Sequence, residues 1–196
     1  MKLVIGSKNP GKLKEFETLA ANEKWLELEL APENFSVEET GSTFFENAKL
    51  KAIQAAKLSG LPALADDSGL VIEALKGKPG IHSARYCEGS DADRRAKVLK
   101  EMEKVPANQR HAAFFCAMVL ANPDGSVAYS TIRCWEGQIG FEEKGENGFG
   151  YDPIFLLPKR QVSAAQIDLA EKNRISHRAQ AWMQVLKFLQ DKKNSA

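Results

Sequence analysis

The segment Gly6-Ser7-Lys8-Asn9-Pro10-Gly11-Lys12-Leu13 has the spacing G-x-x-x-x-G-K, which belongs to loops that cradle phosphates. Backbone N–H groups at a helix N-terminus, with Lys8 and Lys12 beside them, make an anion site. Leu13 stands where a P-loop needs the Ser or Thr that holds magnesium. A capped surface helix with solvated lysines explains the same residues about as well. A second segment, Ala65-Asp66-Asp67-Ser68-Gly69, carries two adjacent carboxylates. They could ligate magnesium, or one could orient a water while the other fixes geometry. Asp, Ser and Gly also favour turns, and taken alone the segment reads first as a turn. The third acidic group is Glu38-Glu39-Thr40-Gly41, with Glu46 shortly after. A solvated loop and a helix capping box account for it without any metal.

Two further segments lie in the C-terminal quarter. Gly148-Phe149-Gly150-Tyr151-Asp152-Pro153 pairs glycines, which let backbone approach a ligand closely, with two aromatics on which a base could stack. A flexible loop anchored by its aromatics is the plainer reading. In Glu171-Lys172-Asn173-Arg174-Ile175-Ser176-His177-Arg178, Ser176 is placed to cap a helix, with His177 and Arg178 in its first turn. Cations sit poorly at the positive end of a helix dipole, so the arrangement asks for an anionic or acceptor-rich ligand. A phosphate loop, a magnesium-grade acidic cluster, a stacking loop and an Arg/His/Lys set together suit a nucleoside polyphosphate.

The elements that must position these residues alternate between strands and helices. Leu3 to Ile5 reads as a short buried strand. Asn9 and Pro10 open a helix to about Ala21 with Leu13, Phe16, Leu19 and Ala20 on one face. Leu26 to Leu30 alternates as a strand, and Thr43 begins a helix that stops near Gly60. Leu61 to Ala65 and Leu70 to Ala74 read as two strands flanking the Asp-Asp-Ser-Gly segment, and Ser90 caps a charged helix through about Lys104. Ala112 to Ala121 and Val127 to Ile139 form a hairpin about Asn122-Pro123-Asp124-Gly125. A last helix from about Ser176 to Asp191 turns Ala179, Met183, Leu186 and Leu189 inward. The class is α/β with a mixed sheet.

The length of 196 residues suits one domain, residues 1–196, or a tight two-lobed unit. With 27 Lys plus Arg against 26 Asp plus Glu, the chain has no global field for nucleic acid or an anionic membrane. It has no apolar run of about 18 residues that could span a bilayer. Cys87, Cys116 and Cys134, and His82, His111 and His177, are too scattered for a structural zinc site. A cytoplasmic location is expected, with Cys116 an ordinary core thiol.

The chain resembles the inosine triphosphate pyrophosphatase family, the non-standard purine diphosphatases of the XTP/dITP type. The resemblance is carried by Ser7 to Lys12, Glu38 to Gly41 with Phe45 to Ala48, and Ala65 to Leu70. Pro79 to Tyr86, Gly148 to Pro153 and Ser176 to Arg178 complete it, in the family's order from about Leu3 to about Leu189. It implies an elongated mixed sheet flanked by helices, two lobes with a central substrate cleft, Mg2+ as cofactor and a homodimer. It also implies hydrolysis of ITP, dITP and XTP between the α and β phosphates, giving the monophosphate and pyrophosphate. Carried over residue by residue, Ser7, Lys8, Asn9, Pro10, Gly11 and Lys12 would cradle the triphosphate. Asp67 would be the general base and a metal ligand, and Glu38 the other ligand. Ser68, Phe149, Gly150, Tyr151, Asp152, Lys172, His177 and Arg178 would touch the substrate. Ser7-Lys8 departs from the Thr-Gly of many members, and Cys87 from a usual small residue.

On that resemblance, Asp67 either takes a proton from the attacking water or positions a water that the metal has acidified. Arg178, a permanent donor, would pair with the purine 6-keto group and leave adenine unsatisfied. A mismatch of that kind supports discrimination on the order of 10⁴. The rivals are a P-loop nucleotide kinase or ATPase, against which Leu13 argues, and a nucleotide-binding module without turnover.

Overall fold

Leu3, Val4 and Ile5 are buried on both faces of the sheet, because helices cover both sides of their strand, β1 (Lys2–Ile5). The computed structural model describes residues 1–195. The elements that follow are α1 (Pro10–Leu19), β2 (Glu27–Leu30), α2 (Phe44–Ser59), β3 (Ala63–Ile72), α3 (Asp91–Glu101), β4 (His111–Ala121), β5 (Val127–Ile139), β6 (Phe155–Leu157), β7 (Val162–Ser163), α4 (Leu169–Ile175) and α5 (His177–Asn194). The sheet order is β2-β1-β3-β4-β5-β6-β7. Strand β1 pairs in parallel with β2, Leu3 opposite Leu28, and with β3, Val4 opposite Ala63. The β5–β6 and β6–β7 pairs are antiparallel, so the sheet is mixed as expected. Among the described residues no helix is long and apolar enough to cross a membrane.

The chain divides into two compact units. One comprises Met1–Asp67, Cys116–Arg133 and the segment from Ala179; the other comprises Ser68–Phe115 and Cys134–Arg178. In the first unit the two-residue period of the strands sorts side chains into two cores. Leu3, Ile5, Leu64, Cys116, Met118 and Leu120 meet Phe16 of α1 and Trp182, Val185 and Leu189 of α5. Val4, Ala63, Ala65, Ala117 and Val119 face the other way, onto Ala48, Ala52, Ala55 and Ala56 of α2. A helix whose fully buried apolar residues are all alanine can lie close to a sheet. An added Cβ at Gly6 would sit 2.9 Å from Ala65 Cβ and 3.2 Å from the Lys51 carbonyl oxygen. In the second unit Leu70, Ile72, Val98, Met102, Trp135, Ile154 and Phe155 form the core.

Helix ends follow the sequence closely. The Asn9 side chain accepts the Gly11 N–H, and Pro10 holds the first helical position of α1. Helix α2 ends at Gly60 in the left-handed region, at φ 68°. The Thr43 hydroxyl accepts the Glu46 N–H, but the return bond of the capping box shifts by one residue. Glu46 accepts instead from the N–H and hydroxyl of Ser42, both at 2.7 Å. Ser90 and Asp93 complete a full capping box on α3, which ends at Glu101, three residues short of expectation.

Three expectations are corrected. The segment Asp66 to Gly69 is not a turn, because β3 runs unbroken from Ala63 to Ile72. The pairing of β3 with β1 ends at Leu64, and beyond it β3 continues beside β4, so sheet context overrides local turn preference. On α5, Met183 is exposed and Trp182 and Val185 take the inward positions. Helix α4 was not anticipated; it opens on Asp168, whose carboxylate accepts the Glu171 N–H at 2.6 Å.

The second unit also buries a cation. Arg110, 2% exposed, donates to the carbonyls of Ile139 at 2.7 Å, Gly140 at 2.7 Å, Met102 at 2.6 Å and Val105 at 3.1 Å. The Phe141 ring lies 4.2 Å from its guanidinium carbon. Arg110 thus joins the end of α3 to the end of β5, where the loop toward Gly148 departs. Arg110→Leu leaves these carbonyls without their donor and is expected to lower the unfolding free energy by at least about 3 kcal/mol in urea titration. A loss below about 1 kcal/mol would contradict this role.

Candidate functional site

Because β3 is continuous, its two consecutive carboxylates leave opposite faces of the sheet. Asp66 turns toward α1, where Lys12 Nζ meets its Oδ1 at 2.6 Å. Asp67 turns toward α2, where Lys51 Nζ meets its Oδ1 at 2.8 Å. The pair therefore cannot act as one two-carboxylate ligand from a single face, which the sequence left open. Ser68, next along β3, begins the second unit.

Helix α2 holds Asp67 with two residues one turn apart. Asn47, fully buried, directs its Nδ2 toward Asp67 Oδ2 at 3.5 Å and accepts the Gly41 N–H at 2.9 Å through Oδ1. Lys51 reaches Asp67 and also Glu39 Oε1, at 2.9 Å. Residues at i and i+4 share one helix face, so a single stripe of α2 ties the acidic segment 38–41 to the carboxylate of β3. Gly41 is required there: a Cβ would lie 2.6 Å from Asn47 Oδ1 and 2.9 Å from the Asn47 backbone nitrogen. Glu38, by contrast, is exposed, and Glu46 serves the helix cap.

Of these groups, Glu39 and Lys51 line a cavity of about 340 Å³, together with Gly6, Ser7, Lys8 and Lys12 among others. Burial pushes the Asp67 carboxyl above its ordinary value; Lys51 opposes the rise, and Glu39 and Asp66 add to it. Burial draws the Lys51 ammonium down, but Asp67, Asp66 and Glu39 outweigh it and its pKa lies above the ordinary value. Asp67 and Glu39 fit a magnesium ion. They are hard oxygen donors, and one small cation, the Lys51 ammonium, already touches both. Among the described residues no group of three or more His, Cys, Asp or Glu could hold a metal. An ion here would draw its remaining ligands from phosphate and water.

The loop before α1 is more self-satisfied than expected. The N–H groups of Ser7, Asn9, Gly11 and Lys12 meet the Ile5 carbonyl, the Ser7 hydroxyl, the Asn9 side chain and the Asn9 carbonyl. Its capacity for an anion therefore rests chiefly on Lys8 and Lys12. Asn9, Pro10 and Gly11 shape the helix start.

The second unit holds the remaining predicted residues, most of them on or against one loop. Gly148 and Gly150 have φ of 78° and 61°, and a Cβ at Gly148 would lie 2.1 Å from Asp152 Oδ2. Asp152 is buried, accepts the Phe149 N–H at 2.9 Å and pairs with Lys172, which is also buried. Asp91 accepts the Gly150 N–H at 3.0 Å, and Arg95 donates to the Gly150 carbonyl at 2.9 Å. Tyr151 is the anchor rather than a stacking face. It is buried, its hydroxyl donates to the Ser83 carbonyl at 2.8 Å, and burial raises its pKa well above the usual range. Ser83 in turn accepts the Leu70 N–H at 2.9 Å, which gives the Pro79 to Tyr86 segment its part in the arrangement. Phe149 remains 58% exposed, with Lys172 Nζ 4.4 Å from its ring centre. His177 and Arg178 are buried in the first turn of α5, and His177 stacks on Phe114 at 5.0 Å.

Sequence reasoning missed the roles of Asn47, Lys51 and Glu39. The signal was present in two polar residues, Asn47 and Lys51, four apart on a helix whose buried apolar residues are alanine, shortly after an acidic segment.

The profile of the Ham1 family matches residues 3–188. The dITP/XTP pyrophosphatase of Exiguobacterium sibiricum is 47% identical over 189 residues, covering 92% of this chain and 93% of the relative. That of Coxiella burnetii is 47% identical over 194 residues, covering 94% of each. The solved structure of a HAM1 protein from Coxiella burnetii superposes with a TM-score of 0.88 at 43% identity, covering 97% of this chain and 99% of that one. The Staphylococcus aureus Ham1 protein gives 0.87 at 38% identity, covering 98% and 100%.

The Asp67 carboxyl binds protons more tightly folded than unfolded, so stability falls as pH rises from 3.8 through its raised value. In chelator-treated protein the loss of stability between about pH 4 and neutral pH should be smaller for Asp67→Asn than for the parent. An equal or larger loss in the variant would contradict the dominance of burial.

Proposed function

Because the chain belongs to the Ham1 family, we propose that it hydrolyses dITP, XTP and ITP to the nucleoside monophosphate and pyrophosphate. The observation that carries this reading is the Asp67 carboxylate. It is desolvated and held by Lys51 and Asn47, and Lys51 lines a cavity together with Lys8 and Lys12. Three lysines around one cavity suit a polyphosphate, whose negative charge must be neutralised before a nucleophile can approach.

In this reading a water oxygen attacks the α phosphorus. The bond from that phosphorus to the bridging oxygen breaks, and pyrophosphate leaves with the electron pair. Asp67 orients the water and accepts its proton. Lys8 and Lys12 hold the departing phosphates. Magnesium, held by Asp67 and the Glu38-Glu39 segment, would neutralise charge on the phosphates and acidify water. Glu38 is the ligand the resemblance implies, and Glu39 is the carboxylate that shares a cation with Asp67. Phe149 offers its exposed face to the purine, and Arg178 donates to the 6-keto group. Ser68, Gly150, Tyr151, Asp152, Lys172 and His177 are assigned to substrate contact or to holding those that make it. A homodimer working in the cytoplasm belongs to the same proposal, on the strength of the family.

With magnesium present, ITP, dITP and XTP are expected to yield pyrophosphate, with ATP and GTP turned over far more slowly. Release of orthophosphate, or binding without product, would refute the reading. Asp67→Asn should lower kcat by at least about 10²-fold with the fold intact. Arg178→Ala should reduce the ITP-to-ATP ratio of kcat/KM by at least about tenfold; an unchanged ratio would remove Arg178 from base reading.

A further inference from the structure

Lys51 lines the cavity proposed for the polyphosphate, yet its ammonium is engaged by two carboxylates. Its ammonium touches Glu39 at 2.9 Å and Asp67 at 2.8 Å, and its side chain also lines the lysine-rich cavity. The Asp67 carboxylate and the acidic segment arrive from different elements, and like charges brought together repel. A cation between them is the condition for their closeness when no metal is bound. That cation is tethered to α2 by a flexible four-carbon stem, and the cavity beside it is where a polyphosphate would lie. We propose that Lys51 is a stand-in cation: it occupies the position between Glu39 and Asp67 that the divalent ion takes, and metal binding releases it toward the phosphates. The inference rests on the functional reading above, because it takes these carboxylates as metal-facing.

Lys51 is then a positioning residue with two alternative partners. Without metal it keeps the two carboxylates from repelling one another. With metal it becomes a third phosphate-facing lysine beside Lys8 and Lys12. A permanent structural tie predicts the opposite, since removing it would let the carboxylates splay and weaken metal binding.

Mn2+ binding to the nucleotide-free protein, followed by electron paramagnetic resonance, separates the two. Lys51→Met should bind Mn2+ at least about tenfold more tightly than the parent. Lys8→Met removes the same charge from the same cavity and should gain less than about threefold. In the parent, modification of Lys51 by an amine-reactive reagent, read by mass spectrometry, should accelerate when Mn2+ is added. Weaker Mn2+ binding by Lys51→Met, a gain no greater than that of Lys8→Met, or a modification rate unmoved by Mn2+ overturns the proposal. Should Lys51→Met fail to fold, the modification experiment on the parent decides alone. Pyrophosphate release from ITP by the parent is scored separately. Its absence would sink the functional reading while leaving the metal measurements to judge Lys51.

Discussion

Two neighbouring carboxylates on an interior strand cannot share a face, and each must find a cation on its own side of the sheet. Much of the first unit follows from that constraint. Asp66 is answered by Lys12 from α1 and Asp67 by Lys51 from α2. The helices that flank the sheet are therefore also the sources of positive charge around the cavity. An ion pair with largely buried partners is costly to assemble and costly to break, so the placement of α1 and α2 is coupled electrostatically as well as by packing.

The approach of α2 has a steric cause. Its inner face of Ala48, Ala52, Ala55 and Ala56 gives up the burial that larger side chains would supply and gains proximity. That proximity brings Asn47 and Lys51 within reach of Asp67. It also desolvates Asp67 and raises its pKa, so a group suited to catalysis is held at some expense to stability. Arg110 and the paired core clusters supply binding elsewhere that such a site requires.

The second unit solves a different problem, which is to hold an exposed ring on a loop without letting the loop wander. Glycines with positive φ at 148 and 150 set the turn. Asp152 closes it through the Phe149 N–H and Lys172, and Tyr151 pins it to Ser83. With those partners taken, Phe149 is the side chain left facing outward. His177 and Arg178 are buried at the start of α5, where the His177 ring stacks on Phe114.

Local chemistry wrote several features plainly into the chain. The Asn9 and Ser90 caps, the stop at Gly60, the Asn122 to Gly125 turn and the order of the motif blocks depend on residues within a few positions of each other. They could be read without coordinates. The continuity of β3 could not, because Asp-Asp-Ser-Gly prefers a turn until a neighbouring strand, β4, extends the sheet beside it. Nor could the opposite facing of Asp66 and Asp67, the anchoring role of Tyr151 or the inward turn of Trp182 in place of Met183. Glu39 and Lys51 are 12 residues apart, and Lys51 and Asp67 are 16 apart. Pairings over such distances are set by how helices seat on a sheet, and no local pattern of residues encodes that seating.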